Sequence, residues 1–106
     1  MQEIERSILD TFKSLLLKRV RLHQVILFGS RARGDADEDS DMDVLVIVED
    51  DWDWAIREYV SRCAWEAGIE HGILVASVLF SRDQWENSPE RSSLFVQNVL
   101  ADGIPV

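Results

Sequence analysis

The stretch VILFGSRARGDADEDSDMDVLVIV, residues 25–48, decides the fold. It is apolar at both ends and polar between. Val25–Phe28 is short and rich in β-branched residues, and it stops at Gly29, which reads as a buried strand. Met42–Val48 is almost continuously hydrophobic, the pattern of a central strand covered on both faces. The intervening GSRARGDADEDS, residues 29–40, carries two glycines and too much charge to be core. A polar bend therefore carries the chain from one buried strand to the next.

Chemistry collects at the two edges of that bend. Asp41 and Asp43 stand two apart where the second strand starts, so the strand period sends both carboxylates to one face. An acidic pair at the edge of an apolar run is costly unless something neutralises it. A magnesium or manganese ion carrying phosphate would do so, because hard cations take oxygen ligands. Gly29 lets the backbone approach a ligand closely. Ser30 offers a hydroxyl and an N–H to a phosphate oxygen, and a short helix starting there would add further N–H donors. Arg33 is read two ways, as a phosphate contact or as an ion-pair partner of Asp35 or Asp39. Arg31 reads as solvated surface, and Asp35, Asp37, Glu38 and Asp39 as a mobile acidic loop.

Working outward, Ile4, Ile8, Leu9, Phe12, Leu15 and Leu16 recur at helical spacing, predicting an amphipathic helix over residues 2–19. A second helix is predicted over 54–67, with Gly68 as its stop. GILVASVLF, residues 72–80, is a third strand. Ser81 with Gln84 three residues on has the form of a capping box. Ser88-Pro89 starts a last helix, which Gly103 stops. The order is helix, strand, turn, strand, helix, strand, helix, helix, with no linker or repeat. Residues 1–106 are expected to make one domain.

Composition excludes several function classes. The formal charge is −9, and half of the twenty acidic residues lie between Asp35 and Asp53, with no lysine or arginine between Arg33 and Arg57. Such a field repels a nucleic-acid backbone, so general nucleic-acid binding is not expected. No apolar run is long enough for a membrane helix, and the charged N-terminus has no signal-peptide core, so the expected location is the cytoplasm. Cys63 is the single cysteine, which rules out an internal disulfide or a thiolate cluster. It falls on the apolar side of the second helix and reads as core.

Gly29-Ser30, ten residues, then Asp41-Met42-Asp43 resembles the signature of the DNA polymerase beta-like nucleotidyltransferase superfamily. The GSRARG opening and the Ser-Asp-x-Asp ending look like its small prokaryotic minimal nucleotidyltransferase (MNT) family. The resemblance implies an α/β (α+β) nucleotidyltransferase fold, a small mixed β-sheet flanked by helices. It implies Ser30, with Gly29 and Arg33, on the phosphates, and Asp41 and Asp43 as the catalytic, metal-binding pair. Mg2+ or Mn2+ would be the ion and ATP the nucleotide. Family members of this kind act as antitoxins to HEPN-domain toxins, moving AMP onto a tyrosine of the toxin. The expected function is therefore metal-dependent transfer of a nucleoside monophosphate to a hydroxyl of a HEPN-type partner. The alternative is a nucleotide-binding antitoxin that neutralises its partner by complex formation alone. A domain this small has no second lobe for base or acceptor, so it should borrow those surfaces from a partner or another copy of itself.

One departure from the superfamily pattern bears on that choice. The superfamily usually places a third carboxylate on a later strand, beside the acidic pair. The strand at 72–80 has none; Glu70, just before it, and His71 beside it reach the site only if the strand starts near the metal, and otherwise the second metal site is incomplete. Trp52 and Trp54 read as core edge or as an aromatic patch for a partner.

Overall fold

A computed structural model describes all residues, 1–106. The elements run α1 (Glu3–Leu16), β1 (Leu22–Phe28), α2 (Ser30–Arg33), β2 (Met42–Val48), α3 (Trp54–Ile69), β3 (Val75–Ser81), α4 (Arg82–Asn87), a 3-10 turn (Pro89–Ser92), α5 (Leu94–Asp102) and β4 (Ile104–Pro105). The strands form one mixed sheet in the order β3-β2-β1-β4. The first two strands pair antiparallel, as do β1 and β4, while β2 and β3 run parallel. The fold is thus the expected small mixed sheet flanked by helices.

The β2 strand keeps its predicted bounds, and its alternation explains the layers. Met42, Val44, Val46 and Val48 enter a core with Ile8, Phe12 and Leu16 of α1 and Val60, Cys63 and Ala64 of α3. Leu45 and Ile47 point the other way, into a smaller cluster with Trp85, Val96 and Val99 from α4 and α5. A strand sandwiched in this way has no polar face, which is why its sequence reads as a continuous apolar run.

The caps behave as their residue types dictate. Both halves of the Ser81–Gln84 capping box form. Ser93 accepts from the Val96 N–H and starts α5, so the Ser88-Pro89 start yields only the 3-10 turn before it. Gly68 does not stop α3, which continues to Ile69. The glycine is needed there for close packing, because a Cβ on it would lie 2.0 Å from the Ile73 carbonyl oxygen. The third strand begins at Val75 rather than 72, since residues 70–72 form a turn. β4 was not foreseen; two residues carry no periodicity to read. No helix is long and apolar enough to cross a membrane.

Candidate functional site

Residues 43, 45 and 47 share one face of β2, the side of α4 and α5, and Asp41 immediately precedes the strand. Register fixes the neighbours of Asp43 there: Phe28 of β1 on one side and Ala76 of β3 on the other. Phe28 packs edge-on against Phe95 of α5, with ring centroids 5.4 Å apart. Asp43 is thus half-buried beside an aromatic wall, whereas Asp41 is exposed. The Asp43 carboxyl is held above the ordinary carboxylate value, chiefly by burial and next by the neighbouring Asp41 charge; the Arg33 guanidinium partly opposes both. The structure thereby brings Asp41, Asp43 and Arg33 within electrostatic reach of one another.

Gly29 closes this group from the side of β1. Its φ of 76° and ψ of −157° lie in a region that essentially only glycine adopts. A Cβ built on it would sit 2.4 Å from Asp43 Oδ2. The bend therefore lies directly against the second carboxylate. Ser30 opens the single turn of α2, whose Ala32 and Arg33 N–H groups donate to the Gly29 carbonyl. Gly34 ends the turn in the left-handed conformation.

Arg33 is exposed and makes two loose ion pairs, at 3.3 Å to Asp35 and 3.8 Å to Asp102. Of its two foreseen partners Asp35 is present, and Asp102 was not foreseen. Exposed pairs of this kind contribute about 0–1 kcal/mol, so an incoming phosphate can displace them. Arg33 also borders a cleft of about 330 Å³ with Phe28, Gly29, Phe95, Asn98 and Asp102. The sequence reading missed the α5 residues of this cleft. Phe95, Asn98 and Asp102 follow the i, i+3, i+7 spacing of one helix face, but that signal looked like ordinary packing.

One expectation is corrected, and one open alternative is resolved. Arg31 is not solvated surface; it is 5% exposed and paired with the equally buried Glu5. The sequence offered no hint, because the partner lies 26 residues earlier in α1. Glu70 does not join the acidic pair. It is exposed at the end of α3 and borders a cavity with Thr11, Leu15, Glu66 and His71, on the α1–α3 side of the sheet. No three His, Cys, Asp or Glu side chains converge anywhere in the chain. The position level with Asp43 on β3, where a third acid would share its face, holds Ala76.

The donor set fits one hard cation arriving with its own phosphate oxygens: two neighbouring carboxylates, one of them reluctant to carry charge unaided. It does not by itself furnish a second, protein-enclosed ion site.

A mixed α/β sheet with a glycine–serine bend packed against an Asp-x-Asp strand start defines a nucleotidyltransferase-type domain. Residues 6–98 match the model of the Nucleotidyltransferase domain family, and the chain belongs to that family. Two solved structures show the same fold. A toxin–antitoxin crystallised with AMP-PNP matches at 23% identity over 91% of this chain and 69% of the other, with a TM-score of 0.59. The tri-AMPylated Shewanella oneidensis HEPN toxin in complex with MNT antitoxin matches at 20% identity over 96% of this chain and 70% of the other, with a TM-score of 0.54. No curated protein matches the sequence.

Proposed function

We propose that this chain transfers AMP from ATP onto a hydroxyl of a HEPN-type partner protein and acts as its antitoxin. The observation that carries the reading is the packing of the Asp43 carboxylate against the Gly29 bend, with Asp41 and Arg33 beside it. Family membership supports the reaction class, and the two solved complexes support the kind of partner.

On this reading, Asp41 and Asp43 are the residues that would hold a magnesium or manganese ion, which would supply positive charge against the phosphate oxygens. Gly29 and Ser30 receive the terminal phosphates, and Arg33 leaves Asp35 and Asp102 to meet them. The acceptor oxygen bonds to the α-phosphorus, the bond to the bridging oxygen breaks, and pyrophosphate departs. With Ala76 beside Asp43, the acceptor's proton goes to water or to a group that the partner brings.

Ala76 is also the observation that favours the second reading, a nucleotide-binding antitoxin that acts by complex formation alone. Labelled ATP and magnesium, added to the chain with its co-expressed partner, decide between them. Transfer predicts label on the partner, lost in the Asp41→Asn, Asp43→Asn double variant. Tight association without label, unchanged in that variant, would establish the binding module instead.

A further inference from the structure

We propose that Arg31 is a positioning residue that sets the backbone of Asp41 relative to the Gly29–Ser30 bend; the inference rests on Asp41 and Asp43 being the metal pair. Arg31 follows Ser30 in α2, so its backbone belongs to the bend. Its side chain crosses to the far end of the acidic loop. Nε donates to the Ser40 carbonyl at 3.0 Å, and Nη2 to the same oxygen at 2.8 Å and to the Glu38 carbonyl at 3.0 Å. Ser40 is the residue before Asp41. Nη1 donates to Glu5 Oε2 at 3.0 Å, and the Arg31 and Glu5 side chains are 2% and 4% exposed. The other oxygen of Glu5 accepts from the Gln2 N–H, which anchors the pair to the start of α1.

This arrangement calls for arginine in particular. Only a planar fork with several fixed donors can hold two loop carbonyls and a carboxylate at once. The guanidinium itself is buried, while the carbonyls it holds belong to a loop that is partly open to solvent. The consequence is that a loop with four acidic residues between Asp35 and Asp39, which repel one another, ends in a defined place. Asp41 is itself exposed and has no hydrogen-bond partner of its own within the chain, so its position depends on the backbone that carries it.

The test compares the full wild-type chain with Arg31→Lys and Glu5→Gln. Three quantities are read: Mn2+ affinity with a non-hydrolysable ATP analogue, amide hydrogen exchange at residues 38–42, and the melting temperature. Arg31→Lys keeps the charge but loses the fork. It should weaken Mn2+ about tenfold, in the range known for residues that orient metal ligands, and speed exchange at 40–42 by a similar factor. Metal-free nucleotide affinity should stay within about threefold, since the bend's own donors are untouched. Glu5→Gln keeps shape and the Ser40 bonds, so its Mn2+ affinity should stay near wild type even if its melting temperature falls. A merely structural ion pair gives the reverse, with both variants losing stability and neither losing metal affinity selectively; that result overturns the proposal. If wild type binds no Mn2+, the metal-pair reading fails by itself, and exchange at 40–42 still decides the positioning role. Should Arg31→Lys not fold, the wild-type Arg31 Nε–H decides. A resonance protected from water supports the clamp, and one exchanging as fast as that of exposed Arg57 overturns it.

Discussion

If the chain transfers nucleotides as proposed, Asp43→Asn is expected to lower that transfer by about 100-fold or more, the scale of losing a group that supports transition-state charge, while raising the melting temperature of the metal-free chain. The two effects have one origin. In the folded chain the Asp43 carboxyl sits above its ordinary value of 3.8, because burial beside Phe28 and the Asp41 charge both disfavour the anion. The folded state therefore binds its proton more tightly than the unfolded state does. Stability contributed by that proton is present below pH 3.8 and is lost as pH rises through the folded value. At neutral pH the bare carboxylate destabilises the fold, and asparagine, of nearly the same shape, removes the penalty. Paired denaturation curves at pH 7 and pH 3.5 check this: the variant should gain over wild type at the higher pH and gain less at the lower. A variant that loses activity and stability together at neutral pH would mean that Asp43 is a structural carboxylate.

Gly29→Ala should cost about 1–3 kcal/mol of stability, the range for a residue forced into backbone conformations that suit only glycine, and should remove transfer as well. The backbone term comes from the φ of 76°. A second term is local: the added methyl would meet Asp43 Oδ2 at 2.4 Å, so the carboxylate must swing away from the bend. Denaturant titration measures the first effect and the labelled-ATP assay the second. An alanine variant of wild-type stability would show that the bend relaxes easily. Full activity in a destabilised variant would show that the contact between Gly29 and Asp43 has no part in the chemistry.

What the sequence disclosed and what it hid follow from the range of the interactions involved. The β2 strand was legible because burial on both faces writes itself into seven consecutive residues, and the Ser81 capping box because both partners lie within one turn. The spacing from Gly29-Ser30 to Asp41 and Asp43 was legible because motif and strand period are local. Arg31 was misread as surface because its partner Glu5 belongs to another element, and Arg31's neighbours in sequence are polar. The α5 wall of the cleft, with Phe95, Asn98 and Asp102, depends on how a helix at the end of the chain docks on β1. The standing of Glu70 turned on geometry too: only strand register shows that Ala76, not Glu70, neighbours Asp43. The strand-like pair Ile104–Pro105 is too short to leave any pattern.

The most direct test of the account is a crystal structure of the chain with Mn2+ and a non-hydrolysable ATP analogue, the metal located by its anomalous scattering. One manganese bridging the carboxylates of Asp41 and Asp43 to the analogue, whose terminal phosphates rest on Gly29 and Ser30, is the result expected. Manganese elsewhere, or a nucleotide whose phosphates avoid that bend, would contradict it.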